Sequence, residues 1–371
     1  MVNLVIETLD KGAGKVEMVE VKGLGHPDTL ADALVEESSK ALSRFYGKRF
    51  RKVAHHNIDK ALIVGGRSEP KFKGGKILEP MRIIIAGRAT SKVGNITVPV
   101  KDIIAEAVES YMKRFDGVKY KLEIDVKEGA ANLKEVFRRN VAVANDTSLG
   151  TGFYPLTILE KLAKETAGHL VSKEFRNNFR AVGQDVKVMG VRDGYDITLT
   201  VAMAFIGKYV KDMDHYKELK HNVKAYLENR ANVPVHINTL DSFTDESTVY
   251  LTVFGLSAEM GDDGQAGRGN RHNGMITPYR PMSIESYAGK NVSHPGKLYN
   301  AMAGRIAKDI VSKTKVESAE VYLVTEIGKP LDEPYLVSVR VVGKYDSVVV
   351  QKIVDENFAR MAELQNDLIF S

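Results

Sequence analysis

The sequence predicts an α+β fold, and three observations carry that reading. Stretches rich in Val, Ile, Thr and Tyr with partial period-two alternation recur along the whole chain. Helical stretches lie among them without the regular strand–helix alternation of a parallel sheet. The C-terminal part runs helix, strand, strand, helix, which favours antiparallel or mixed sheets.

In chain order, strand signals fall at 4–8 and 15–21, followed by a helix over 29–45. In that helix Leu30, Leu34, Ala41 and Phe45 lie near one face, and Thr29 with Asp32 has capping-box spacing. Strands at 61–64 and 81–85 precede a helix at 103–115, a strand at 120–126 and helices at 131–139 and 155–166. Strands at 187–191 and 196–204 lead to a helix at 216–229 and strands at 234–239 and 249–254. A helix at 297–311, strands at 319–325 and 335–342 and a helix at 347–361 close the pattern. Loops are expected at 65–79, 144–154 and 257–296. Sheet-plus-helix groups recur roughly three times without a shared sequence signature, which hints at internal repetition. No low-complexity linker divides residues 1–371, so a single body is expected, with subdomain boundaries not legible.

Composition narrows the function classes. The chain has 371 residues, 43% hydrophobic and 27% charged, with net charge +5: an ordinary globular protein. A charge that mild suits an enzyme of anionic metabolites as well as a nucleic-acid binder. Cysteine is absent, which excludes disulfides, thiolate catalysis and Cys-ligated zinc. No apolar run reaches spanning length, and the first residues, MVNLVIETLDKGAGK, lack a signal-peptide pattern. A cytoplasmic protein without a membrane partner is expected.

Residues 261–297 are the most informative segment. They combine seven glycines with Arg268, Arg271, Arg280, Lys290 and Lys297, too glycine-rich for a helix or strand and too long for an ordinary connection. Glycine allows close backbone approach to a ligand, and guanidinium and ammonium groups suit polyphosphate oxygens. Asp262 and Asp263 sit beside the cations, a mixture suited to a metal–polyphosphate complex. Because basic and acidic residues alternate, a nucleic-acid surface is not expected. Met275, Ile276, Tyr279, Pro281, Met282 and Tyr287 argue for a packed segment over a linker.

Four shorter stretches each have two readings. Gly23–Leu24–Gly25–His26–Pro27–Asp28 follows a strand and opens a helix, a geometry that aims N–H groups at an anion. Asp28 is there either a hard oxygen ligand for Mg2+ or a helix cap. Asp59 and Lys60, in HHNIDK, suit a magnesium–phosphate site or form a polar strand end. ANDTSLGTG, with Asp146, is a ligand loop or a turn. Asp185 and Lys187, in GQDVK, are two residues apart on one strand face, able to hold a nucleotide or to pair at the surface. A P-loop, a Gly-x-Gly-x-x-Gly turn, a Gly-x-Ser-x-Gly elbow and a His-Glu-x-x-His helix are all missing.

Together KGLGHPD (22–28), HHNIDKALIVGG (55–66), ANDTS (144–148), VGQDVKVMG (182–190), SAEMGDDGQAGRGNRHNGMITPYRPMS (257–283), GKNVSHPGKLYN (289–300) and EIGKPLDEP (326–334) resemble the S-adenosylmethionine synthetase (methionine adenosyltransferase) family in its archaeal type. The resemblance spans nearly the whole chain. It implies attack of the methionine sulfur on C5′ of ATP, with the expelled tripolyphosphate cleaved to diphosphate and phosphate. The alternative is another ATP- or tripolyphosphate-cleaving enzyme on the same scaffold. By similarity, His26, Lys187, Arg268 and Lys290 are catalytic and Asp28 binds Mg2+. Asp59, Lys60, Gly129, Ala130, Ala131, Asn132, Asp146, Asp185, Asp262 and Lys297 contact ATP or substrate. The resemblance further implies Mg2+ and often K+, and a homodimer with active sites between subunits. Three α+β subdomains, interleaved in sequence and related by pseudo-threefold symmetry, would make up each subunit. Thr29 follows His-Pro-Asp where the bacterial-type motif carries Lys.

Overall fold

A computed structural model describes residues 2–9, 14–129, 143–283 and 285–370. The expected helix at 131–139 and the candidate contacts Ala130, Ala131 and Asn132 lie outside the described residues. In chain order the elements are β1 (Leu4–Thr8), β2 (Val16–Lys22), α1 (Pro27–Phe50), β3 (His56–Val64), β4 (Arg67–Lys71), β5 (Gly74–Glu79), β6 (Met81–Ala89), β7 (Lys92–Val93), β8 (Ile96–Thr97), α2 (Val100–Met112) and β9 (Tyr120–Lys127). There follow β10 (Leu149–Tyr154), α3 (Ile158–Leu170), α4 (Lys173–Asn178), β11 (Val182–Asp193), β12 (Asp196–Ile206), α5 (Met213–Ala231), β13 (Val235–Ile237), β14 (Leu251–Thr252) and β15 (Gly264–Gln265). The chain ends with α6 (Pro295–Lys313), β16 (Ser318–Val324), β17 (Leu336–Val342), α7 (Ser347–Ala359) and α8 (Met361–Phe370). The fold is mixed α+β, as the sequence predicts.

Three larger sheets share one arrangement. Their strand orders are β1-β17-β16-β10, β13-β12-β11-β2 and β15-β3-β6-β9. In each, a central antiparallel pair (β16/β17, β11/β12 or β3/β6) carries a parallel strand on one edge and an antiparallel strand on the other. A helix precedes each pair in the chain: α6, α3–α4 or α1. Each sheet buries one face in its own apolar core, for example Leu323, Val339 and Ile306 in the first, and Val188, Val201 and Ala163 in the second. The third core contains Ile63, Ile83 and Leu34. The edge strands come from distant sequence, so β2 crosses to β11 and β15 returns to β3.

All three expected loops contain strands, the 257–296 stretch only the short β15 among its described residues. The 65–79 stretch forms the β4–β5 hairpin, with Lys73 at φ 68 in its turn and Phe72 packed against the core of the second sheet. Pro70, Gly74 and Gly75 had hidden it, since they are poor strand residues. The 144–154 stretch contains β10. A Cβ on Gly150 or Gly152 would overlap the α6 backbone at Tyr299–Asn300 or Ala303–Gly304, so these glycines serve close strand–helix contact rather than a turn.

The capping-box expectation also changes. α1 starts two residues earlier, with His26 as its N-cap, and Asp32 faces another segment.

Candidate active site

The sequence candidates assemble into two groups at opposite ends of β3. The first forms where β2 turns into α1. Gly23 donates to Val186 O at 2.6 Å and Gly25 to Gln184 O at 3.0 Å, laying the turn directly on β11. A Cβ on Gly25 would come within 2.7 Å of Asp185 N, so only glycine permits this approach. His26 is thereby brought beside Asp185.

His26 Nδ1 accepts the Asp28 N–H at 3.2 Å, as the α1 cap. Burial pulls the imidazole pKa below its ordinary value, against the opposing charge of Asp185. The ring is therefore neutral near pH 7, and because Nδ1 accepts, its proton sits on Nε2. Asp28 receives Lys22 Nζ at 3.0 Å on one oxygen and Gln265 N–H at 3.0 Å on the other. Burial pushes this carboxyl up, but the Gln265 bond and Lys22 outweigh it and hold it below the usual value. Asp28 is a carboxylate, not the cap.

Asp185 is buried and accepts Ser257 N–H and Tyr250 O–H, each at 3.0 Å. Burial raises its pKa despite those bonds. Ser257 Oγ donates to Asp262 at 2.9 Å, tying the exposed acid to the same turn. Lys187 pairs with Glu20 at 3.1 Å, and Lys22 also donates to Arg268 O at 2.7 Å. The Arg268 side chain is exposed, and its guanidinium has no hydrogen-bond or ion-pair partner among the described residues.

The second group lies where the chain at 289–291 crosses β3. Ile58 donates to Gly289 O at 2.8 Å, and Gly289, at φ 74, has no room for a Cβ against Ile58 O. Lys290 Nζ is held by Asp59 at 3.1 Å and Glu285 at 2.6 Å, while Lys60 pairs with the other Asp59 oxygen at 2.6 Å. Burial lowers the Lys290 pKa, but Glu285 and Asp59 prevail and raise it. Asp146 lies 3.6 Å from His294 Nε2, and burial with the nearby Glu285 charge raises its pKa. Gly129 abuts the His55 ring on the same side, where a Cβ would lie 3.2 Å from Cδ2.

β15 pairs Gln265 with Leu62, and Gln265 binds Asp28. Asp59 lies three residues back along β3, roughly 10 Å at strand spacing. Lys297 belongs to neither opening. Its ammonium is buried on both oxygens of Glu36, at 2.8 and 2.7 Å, behind the second group. Among the described residues no set of three or more His, Asp or Glu groups is placed to hold a metal ion alone.

Sequence reasoning missed Lys22, Glu20, Tyr250, Ser257, Glu285 and His294 as members of these groups. One signal was available for His294: it repeats the His-Pro of α1 at the start of α6, and its Nδ1 likewise caps the helix, on Gly296 N–H at 3.0 Å.

The family model described as S-adenosylmethionine synthetase (AdoMet synthetase) matches residues 3–371. The chain belongs to the S-adenosylmethionine synthetase family. The activity that comes with this membership is that of a methionine adenosyltransferase, as the motifs implied. The chain is 44% identical to the S-adenosylmethionine synthase of Saccharolobus solfataricus, over 96% of this chain and 92% of that one. It is 45% identical to the probable S-adenosylmethionine synthase of Aquifex aeolicus, over 94% and 92%. An S-adenosylmethionine synthetase structure from Campylobacter jejuni, described as unusual, shares the fold at TM-score 0.60 and 15% identity, covering 95% of this chain and 88% of that one. No described helix is long and apolar enough to cross a membrane.

Proposed function

We propose that the chain joins ATP and L-methionine at the His26 group, forming the S–C5′ bond as the C5′–O bond breaks and its electron pair leaves on tripolyphosphate. Water then cleaves a P–O–P bond to give diphosphate and phosphate. A thioether is already nucleophilic, so the barrier lies in the charge that develops on the leaving oxygen. The observation that carries this reading is the orientation of His26, whose Nδ1 accepts the Asp28 N–H, so that Nε2, which has no hydrogen-bond partner among the described residues, is left to donate to that oxygen. Lys187 and Arg268 take the polyphosphate, and Asp185 and Asp262 hold the nucleoside side. The ionised Asp28 suits Mg2+, which favours one or two carboxylates together with substrate phosphates over an all-protein cage. The metal, when bound, neutralises polyphosphate charge. K+ is proposed alongside it, tested by replacing K+ with Na+ in the assay.

Incubation with ATP, methionine and Mg2+ should yield S-adenosylmethionine with diphosphate and phosphate. Phosphate release without a sulfonium product would instead favour a plain tripolyphosphate-cleaving enzyme.

We infer further that the active unit is a homodimer, in which the second group of one subunit (Asp59, Lys60, Gly129, Asp146 and Lys290) completes the first group of its partner. Two observations support this. The groups are separated within one chain, and the sheet faces beside them expose Met18 (40%), Val191 (38%) and Leu62 (41%). Lys297 then acts from behind, through Glu36. Mixing inactive His26→Ala and Lys290→Ala proteins should restore a fraction of the activity by pairing intact halves; no recovery after subunit exchange would contradict shared sites. The common strand arrangement of the three sheets supports a subunit of three interleaved subdomains related by a pseudo-threefold axis. A cytoplasmic location is proposed from the absence of cysteine and the use of ATP.

A further inference from the structure

Asp28 and Asp32 lie one helical turn apart on α1, so their side chains leave the same face. Below that face runs the glycine-rich chain after β15. Its alternate peptide N–H groups meet the two carboxylates in turn. Gln265 N–H goes to Asp28 at 3.0 Å, Gly267 N–H to Asp32 Oδ1 at 2.6 Å and Gly269 N–H to Asp32 Oδ2 at 3.1 Å. The residue between the last two is Arg268.

We propose that Asp32 is a positioning residue for Arg268, fixing the peptide on each side of it so that its free guanidinium is presented to polyphosphate from a rigid backbone. The proposal rests on the polyphosphate role given to Arg268 above.

The geometry around this point leaves little slack. Asp32 is 6% exposed, and α1 does not need it as a cap because His26 fills that place. A Cβ on Gly269 would overlap Asp32 Oδ2, and Gly267 sits at φ 93, so the close approach depends on both glycines. Arg268 O accepts Lys22 Nζ at 2.7 Å, and Asn270 brackets the Lys22 backbone at 2.9 and 2.8 Å. Every backbone neighbour of Arg268 is therefore tied down while its side chain is left open. Ordering a long side chain on a phosphate costs rotamer entropy, and a mobile backbone would add to that cost. Burial raises the Asp32 pKa to about 6 despite both N–H bonds, so a buried acid is kept here against its solvation preference.

A double-mutant cycle separates positioning from general structural support. Asp32→Asn keeps one acceptor and loses the other. It should raise the KM for ATP and the Kd for Mg2+–tripolyphosphate on the order of tenfold. In Arg268→Ala protein the same change should add nothing to either constant. Equal, additive losses in both backgrounds would overturn the proposal, as would unchanged constants with only a lowered Tm. If Asp32→Asn does not fold, Gly269→Ala replaces it, pushing a methyl against Asp32 without removing its charge, with the same outcomes expected. A wild-type protein that binds tripolyphosphate but forms no sulfonium would count against the adenosyltransfer reading alone, because the binding cycle can still be run.

Discussion

The two groups of site residues are built on opposite plans. Around His26 each acid is held at least partly by backbone N–H groups, Asp28 by Gln265, Asp185 by Ser257 and Asp32 by Gly267 and Gly269, although Lys22 also binds Asp28 and Lys187 pairs with Glu20. The Arg268 guanidinium has no partner among the described residues. Around Lys290 the acids are held by ammonium groups, and the cation is closed between Asp59 and Glu285. The difference is one of preorganisation. Acids satisfied by peptide groups leave Arg268 open to a polyanion at no cost of breaking an ion pair, whereas Lys290 would have to give up a carboxylate to receive phosphate. The first plan fits a leaving triphosphate; the second fits a surface that engages only when something arrives to compete.

The largest effect that would test this contrast is at His26. His26→Ala should lower sulfonium formation by about 10²–10⁴-fold, the usual range for losing a positioned proton donor. Hydrolysis of added tripolyphosphate should fall far less, because that step does not break C5′–O. Equal losses in the two assays would remove the distinction between a leaving-group donor and a general phosphate contact.

Next in size is the buried pair behind the second group. Lys297 is fully buried; burial drags its pKa down, and the Glu36 charge and hydrogen bonds oppose that fall. Glu36→Gln removes the compensating charge and should destabilise the fold by about 3–5 kcal/mol, read as a lowered denaturation midpoint. Glu36→Gln combined with Lys297→Met should recover much of the loss, since a buried pair is replaced more cheaply than it is broken. If the single change were silent, Lys297 would have to be reaching solvent or substrate, as a direct contact would.

How much of this was legible in the sequence differs between the groups. His26, Asp28 and Arg268 were marked by local chemistry: a strand-to-helix turn with Gly25 and Pro27, and glycines flanking an arginine. Such signals survive without knowledge of the fold. Asp32 was misread as half of a capping box because its real partners, Gly267 and Gly269, lie 235 and 237 residues away. His294 was passed over for the same reason, since Asp146 meets it from the far side of the sequence, whereas Glu285, five residues from its partner Lys290, carried no motif to mark it. Gly150 and Gly152 read as loop residues because a sequence does not tell a turn from a strand pressed against a helix. The α+β class and most strands were legible, because alternation is local; β15, two residues long, was not.

The smallest expected effect lies at the rim of the second group. Burial would lower the Lys290 pKa, but the hydrogen bond that its ammonium donates to Glu285 leads the effects that raise it above its ordinary value. A folded-state pKa above the unfolded value stabilises the protein fully below the unfolded value and loses that contribution as pH rises through the folded one. Glu285→Gln should therefore cost a little stability at neutral pH, with the difference from wild type fading at strongly alkaline pH. The Glu285 side chain is 43% exposed, so solvent screening keeps the cost below about 1 kcal/mol. Denaturant titrations of both proteins near pH 7 and above pH 10.5 measure it. If Lys290 must release Glu285 to take phosphate, the same variant should bind Mg2+–tripolyphosphate at least as tightly as wild type. Weaker binding would mean that Glu285 orients Lys290 for the ligand, and the contrast between an open cation and a closed one would then be one of geometry rather than of charge.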